Sequence, residues 1–287
     1  MGLHEPKPEW LLRPSGAHHG VAAVKRLLRR AKLNTVCEEA RCPNIAECFS
    51  RHSATFMILG DICTRGCRFC SVKRGKPTLG ETGMKQEAIA LAEAAEQLGL
   101  QHIVITSVTR DDLIDGGASG FAFAIEAVRK RLCDVCVEVL IPDFAGDASA
   151  LAVVASAGPD IINHNLETVP RLYPSVRPGA VYRRSLDLLA SAKSKAINIK
   201  TKTGIMLGLG ERAEEVEDLI KDVRAVGVDI FTAGQYLQPS RHHIPVDRYL
   251  QLEEFTHLER LALDSGFSGV AVGPLVRSSY RAQEVAG

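Results

Sequence analysis

No stretch of this chain supplies the roughly 20 consecutive apolar residues that a membrane span requires. The opening residues, MGLHEPKPEWLLRPSG, lack the charged-then-apolar pattern of a secretory leader. A cytoplasmic protein with no membrane partner is the expectation. Charge of one sign is also missing: 35 Lys and Arg stand against 34 Asp and Glu, leaving no strong field to gather nucleic acid or anionic lipid. Internal repeats and low-complexity tracts are absent too. What remains is 287 residues, 46% of them hydrophobic, enough to bury a sizeable core in one large α/β domain or two small ones. The eight cysteines are bunched, and a chain of this length needs no disulfide framework, so metal binding is the better account of them.

From about Phe56 onward, short apolar runs alternate with amphipathic stretches, the mark of βα units on a parallel sheet. Strands are expected at 56–59, 102–106, 136–141, 160–165, 199–206 and 230–233, with a short seventh at 269–272. Helical periodicity fills 86–98, 117–131, 147–157, 182–195, 212–226 and 249–264. Repetition with right-handed crossovers gives a doubly wound sheet or a barrel, and periodicity does not choose between them. Residues 1–50 break the rhythm with Pro6, Pro8 and Pro14, one amphipathic helix at 21–32 and a cysteine-rich segment.

The densest chemistry is Cys63-Thr-Arg-Gly-Cys67-Arg-Phe-Cys70, directly after the strand FMILG. The thiols therefore sit on a loop at a strand's carboxyl end, where βα architectures build active sites. Three soft thiolates so spaced suit three irons of a cubane cluster with one iron left open. A zinc knuckle is the alternative, but structural zinc wants four ligands and no fourth stands nearby. A second set, Cys37, Cys42 and Cys48, has C-x4-C-x5-C spacing. Two three-thiol sets imply two clusters, against the plainer reading that the second set packs or binds zinc.

The C-x3-C-x2-C loop, with Phe69 before its last cysteine, resembles the defining motif of radical S-adenosylmethionine (SAM) enzymes. There, a [4Fe–4S] cluster chelates SAM and an electron from it releases a deoxyadenosyl radical. The string TVCEEARCPNIAEC resembles the auxiliary-cluster segment of lipoyl synthases, and Arg277-Ser278-Ser279-Tyr280 resembles their C-terminal ligand motif. By that resemblance, Cys63, Cys67 and Cys70 hold the SAM cluster. Cys37, Cys42, Cys48 and the Ser279 oxygen hold a second [4Fe–4S] cluster that is consumed as the sulfur source. Similar segments run along nearly the whole chain, including ITSVTRDDLIDGGASGF, NHNLETV, VRPGAVYRRSL and TKTGIMLGLGE. Arg281 stands where relatives often carry histidine.

The resemblance implies a partial (β/α)6 barrel over 51–272. Residues 1–50 form an extension carrying the auxiliary-cluster cysteines, and a tail, 273–287, helps to close the barrel mouth. It implies insertion of two sulfurs at C6 and C8 of a protein-bound octanoyl-lysine. The implied partners are octanoylated carrier domains (2-oxoacid dehydrogenase E2 subunits, the glycine cleavage H protein), an electron donor such as flavodoxin or ferredoxin, and an iron–sulfur carrier for rebuilding the spent cluster. Contacts to SAM are expected from Gly116 and Gly117 in the Asp115-Gly116-Gly117 turn, from Asn163, Asn165 and Glu167 after the fourth strand, from Arg177, and from Gly208 in the stretch resembling an adenine-contacting strand.

Other features carry less. Cys136 opens an apolar strand as a small core residue, so Cys133 and Cys136 are not a metal pair. The pairs His18-His19 and His242-His243 read as loop residues. The cationic face of Lys25, Arg26, Arg29, Arg30 and Lys32 reads as a solvated face or as a dock for an acidic carrier domain. The competing functions are a biotin-synthase-like or methylthio-transferring enzyme, an iron–sulfur electron carrier, and a zinc-stapled binding protein.

Overall fold

The computed structural model describes residues 7–11, 21–51, 53–195 and 198–286; Pro6, Pro14, His18 and His19 lie outside them. The strands are β1 (Asn34–Thr35), β2 (Thr55–Ile58), β3 (Ile62–Cys63), β4 (Lys73–Arg74), β5 (His102–Ser107), β6 (Cys136–Leu140), β7 (Ile161–Asn163), β8 (Lys200–Leu207), β9 (Ile230–Gln235) and β10 (Gly269–Gly273). The helices are α1 (Val21–Ala31), α2 (Val36–Glu39), α3 (Ile45–Ser50), α4 (Glu81–Gln97), α5 (Ala118–Arg131), α6 (Ala148–Ser156), α7 (Tyr173–Val176), α8 (Tyr182–Lys195), α9 (Ala213–Ala225), α10 (Leu252–Asp264) and α11 (Ala282–Ala286).

One eight-stranded sheet runs in the order β1-β2-β5-β6-β7-β8-β9-β10. Seven of its strands are parallel, and β1 pairs antiparallel with β2. The order is that of successive right-handed βα crossovers bent into an open barrel. The seventh strand is real, and its pairing with β9 sets the far edge. Helix α4 starts five residues ahead of the periodicity because buried Met84 supplies its first turn. Helix α10 starts later than expected because the Glu254 carboxylate accepts the Gln251 N–H at 2.8 Å and so fixes the cap. Among the described residues no helix is long and apolar enough to cross a membrane.

Alternation along the strands divides the two faces of the sheet. Ile103, Ile105, Val137, Val139, Ile205 and Leu207 pack outward against the helices in two hydrophobic layers. The inward set includes His102, Glu138, Asn163 and Lys202. Lys202 Nζ lies 2.9 Å from Glu138 Oε1, His102 Nε2 lies 3.2 Å from Glu138 Oε2, and Asn163 Nδ2 donates to Glu138 at 3.0 Å. Burial alone would push the Glu138 carboxyl up, but Lys202 and His102 hold it below the usual range. This ion pair floors the barrel.

The two sheet edges, β1 and β10, are not hydrogen-bonded to each other. Side chains bridge the gap instead. Asn44 Nδ2 donates to the Leu275 carbonyl at 2.7 Å, the Tyr280 hydroxyl to Glu47 at 2.9 Å, and Arg281 to the same carboxylate at 3.0 Å. Residues 274–281 thus lie across the strand ends, with the Gln235 N–H donating to the Pro274 carbonyl at 3.2 Å. Glycines make that path passable: a Cβ on Gly234 would collide with the Val276 carbonyl oxygen, and one on Gly204 would stand 3.1 Å from Ser278 Oγ.

Candidate active site

Strand β2 ends in Leu59 and Gly60, both at positive φ (69° and 87°). Leu59 tolerates this unfavoured conformation because the Glu87 carboxylate accepts its N–H at 2.7 Å and its side chain is fully buried. The turn launches the thiol loop, which a short parallel ribbon of β3 and β4 brackets. Cys63 Sγ accepts the backbone N–H groups of Arg65 and Thr109, each at 3.4 Å. Arg65 locks the loop to the barrel rim, making paired 2.8 Å bonds to Asp111 and a 2.7 Å contact with buried Asp143. Burial works against the Asp143 charge, yet Arg65 brings its carboxyl down to about 2. On the other flank, His243 Nε2 lies 3.1 Å from the Cys70 carbonyl and its Nδ1 2.9 Å from the Ser240 hydroxyl. A carbonyl only accepts, so Nε2 carries a proton.

Helices α2 and α3 position the second triad. Thr35 caps α2 through its hydroxyl, which accepts the Glu38 N–H at 3.3 Å, and buried Phe49 anchors α3 in the core. Cys37, Cys42, Cys48, Cys63, Cys67, Cys70 and Ser279 all line one cavity of about 610 Å³. Burial pushes the Cys37 thiol up to about 11 and Cys70 up to about 12, and Cys67 moves the same way. Among the described residues no three His, Cys, Asp or Glu groups are gathered as a metal ion needs; the thiols are ranged round the wall.

The same cavity wall carries Asn165, Glu167, Arg177, Arg277 and Ser278. Burial raises the Glu167 carboxyl against the pull of Arg177. Arg177 Nη1 donates to the carbonyls of Asn165 and Leu166 at 2.8 and 3.0 Å, while among the described residues its buried Nε has no partner. The Ser107 hydroxyl, on the same wall, is likewise buried without one. Two orphaned polar groups and six thiols are the donor set that a carboxylate-bearing cofactor and sulfur-ligated iron would satisfy, so the residues fit the groups that the motifs imply.

Four expected contacts are not brought to the cavity wall. Gly117 is needed for packing, because a Cβ there would collide with Leu59, whose turn launches the thiol loop. Gly116 borders a separate hollow beside Phe144. Gly208, at φ 90°, makes room for the Gln235 side chain and the Arg248 carbonyl. Asn163 is buried on the barrel floor against Glu138. Cys133 is exposed and neither it nor Cys136 reaches the cavity. Sequence reading missed the Arg65 clamp and the His243 brace. The two acids Asp111 and Asp143, each just beyond a strand end, were a signal for the former; nothing local marked the latter.

An open parallel barrel with a C-x3-C-x2-C loop at its first strand end defines a radical SAM protein, and the Radical SAM superfamily model matches residues 57–223. A solved chain of this architecture, Streptococcus suis SuiB bound to precursor peptide SuiA, aligns with a TM-score of 0.59 at 12% identity, covering 79% of this chain and 52% of that one; this likeness concerns the fold. Lipoyl synthase of Alcanivorax borkumensis is 51% identical over 97% of this chain and 85% of its own length. That of Caldicellulosiruptor saccharolyticus is 51% identical over 98% of both. The chain belongs to the lipoyl synthase family.

Proposed function

We propose that this chain is an enzyme that makes the lipoyl group by inserting two sulfur atoms, at C6 and C8, into an octanoyl-lysine displayed on a carrier protein. The observation that carries this reading is the single cavity lined by both thiol triads and Ser279. Alkyl C–H bonds offer neither an acidic proton nor a polar handle, so acid–base and nucleophilic groups cannot open them. A [4Fe–4S] cluster held by Cys63, Cys67 and Cys70 would pass an electron from an external reductant to SAM and so supply a deoxyadenosyl radical able to take hydrogen from carbon. The second cluster, held by Cys37, Cys42, Cys48 and Ser279, is the sulfur substrate.

The protein's own part is position and exclusion. The Arg65 clamp and the His243 brace fix the first thiol loop on both sides. Arg177 offers its free Nε to a carboxylate, while Glu167 and Asn165 present acceptors for an amino group or ribose hydroxyls. The tail, held to α3 by Asn44 and Glu47, brings Ser279 to the cavity that the first loop also lines and keeps water from a reactive centre. Raised thiol pKa values mean that loading either site expels protons. An oxygen ligand on iron, harder than thiolate, suits a cluster that must be dismantled.

A small reduced electron carrier and an iron–sulfur donor protein complete the cycle. A cytoplasmic setting belongs to the same reading, in keeping with eight free cysteines. The organisation is an extension over 1–50, a barrel over 51–272 and a tail over 273–287. The test is anaerobic reconstitution, followed by SAM, reductant and an octanoylated carrier domain. The product should gain two sulfurs by mass; SAM cleavage without sulfur gain would sink the proposal in favour of another radical SAM chemistry.

A further inference from the structure

Just beyond β7, Glu167 stands at φ 66°, outside the range that ordinary side chains favour. Its backbone is pinned to β8 on both sides: its N–H donates to the Gly204 carbonyl at 3.0 Å, and its carbonyl accepts the Met206 N–H at 2.9 Å. Strain of this kind persists where the surroundings over-determine it, and it gathers at ligand sites. The side chain so fixed borders the cavity and accepts a bond from Asn165 Nδ2 at 3.1 Å through Oε1. Among the described residues Oε2 accepts none. Burial pushes this carboxyl up, and Arg177, Asn165 and then Arg277 of the tail pull it down.

The tail reaches the same group by hydrogen bonds. A carboxylate only accepts, so the Asn165 amide turns its nitrogen to Glu167 and its oxygen to the tail, where the Ser278 hydroxyl donates to it at 2.8 Å. Gly204 keeps this crossing open, since a Cβ there would stand 3.1 Å from both Ser278 Oγ and Asn165 Oδ1. Each donor in the series points toward Glu167. A ligand that fixes the carboxylate therefore polarises the amide and strengthens the serine's bond in turn. Ser278 is joined directly to Ser279, so whatever holds one holds the backbone of the other.

We propose that Ser278 is a positioning residue: SAM resting on Glu167 tightens the series Ser278, Asn165, Glu167 and so steadies the ligand oxygen of Ser279. The inference rests on the functional reading above, which gives Glu167 to SAM and Ser279 to the second cluster, and it adds communication between them. Such coupling is reciprocal, so the factor by which SAM steadies the tail is the factor by which the tail improves SAM binding. Three other bonds, from Gln235 N to Pro274, Asn44 to Leu275 and Tyr280 to Glu47, keep the tail attached when the Ser278 hydroxyl is removed.

The test uses the full, iron–sulfur-reconstituted chain, anaerobic and without reductant so that SAM is not consumed. Amide hydrogen exchange, read by mass spectrometry on peptides covering 274–281, is compared without SAM and with SAM at saturation for each variant. In the wild type, SAM should slow exchange of this segment about fivefold, the worth of roughly one hydrogen bond. In Ser278→Ala and in Asn165→Ala the SAM effect should vanish, and SAM affinity of Ser278→Ala should fall about fivefold as well. A serine that merely helps to anchor the tail would speed exchange and leave the SAM effect intact; that outcome overturns the coupling. A SAM effect lost in Ser278→Ala but kept in Asn165→Ala overturns it too, because SAM would then touch the serine directly. Sulfur insertion by a wild-type chain whose tail ignores SAM overturns the coupling alone. A tail that answers to SAM through both residues, in a chain that adds no sulfur to an octanoylated carrier, overturns the functional reading and leaves the coupling standing.

Discussion

Replacing Gly234 with alanine tests whether the tail is built into the barrel or merely lies on it. A Cβ at this position would sit inside the Val276 carbonyl, with the carbonyl carbon at 2.9 Å and Arg277 Nη1 at 3.1 Å. The obstacle is mainly backbone, so no rotamer change relieves it, and the φ of Gly234 is not among the positive ones, so alanine is otherwise acceptable. The tail must therefore shift. A shift of about 1 Å carries bonds now at 2.7–3.2 Å beyond bonding range. The four at stake are Gln235 N to Pro274, Asn44 to Leu275, Ser278 to Asn165 at 2.8 Å, and Tyr280 to Glu47. At about 1 kcal/mol each, their loss removes about 4 kcal/mol of local protection, while the barrel core is untouched. Proteolysis within 274–281 should then accelerate by up to about a thousandfold under fast opening and closing. Reconstituted iron should fall from about eight to about four per chain as the Ser279 site is lost. Gly80→Ala, where a Cβ meets open space, is the control. Wild-type tail protection and full iron in Gly234→Ala would refute the idea that the tail is clamped through this contact.

Other perturbations separate floor, wall and ligand. His164 is buried with one ring nitrogen 2.8 Å from the Ile141 carbonyl and the other 2.9 Å from Ser185, and burial, helped by Arg177, lowers it from 6.5 to about 4. The unfolded chain takes up that proton first, so stability should fall by up to about 3 kcal/mol as pH drops from 6.5 to 4 and level off below. Urea titrations of His164→Gln should show that limb flattened, and the loss from Asp143 should enter only below pH 3.8, as its carboxyl protonates toward about 2. Glu138→Gln strands the Lys202 ammonium in the floor and should cost about 3–5 kcal/mol; a double change to Glu138→Met and Lys202→Met should recover most of it in the same denaturation assay. Ser279→Ala should retain SAM cleavage and about four irons while losing sulfur transfer; unchanged lipoyl yield would remove Ser279 from the ligand set.

The sheet was readable because a strand buried on both faces leaves an uninterrupted apolar run, as in Phe56–Ile58 and Ile103–Ile105. Both triads were readable because thiol spacing is local. Glycine was harder to read. Gly117 and Gly208, expected near SAM, make room for Leu59 and for Gln235 with Arg248. A glycine reports that something comes close without reporting what. The tail's path over Gly204 and Gly234 was hidden for the same reason, since its contacts join residues more than forty positions apart. Glu138 and Lys202 escaped notice because a charge within an apolar strand reads as its wet face, and only closure of the sheet turns that face inward. His243 looked like a loop residue and is one; its use comes from Cys70, 173 positions away.

The side-chain seam between α3 and residues 274–281 has a consequence for synthesis. Chains emerge amino end first and their domains form as they emerge. By the time β10 leaves the ribosome, all seven parallel strands and the loop bearing Cys63, Cys67 and Cys70 exist, but residues 274–281 do not yet bridge to Asn44 and Glu47. The triad encoded first, Cys37, Cys42 and Cys48, waits for the segment made after the last strand. A barrel can be complete as a fold before the seam that closes its mouth has formed.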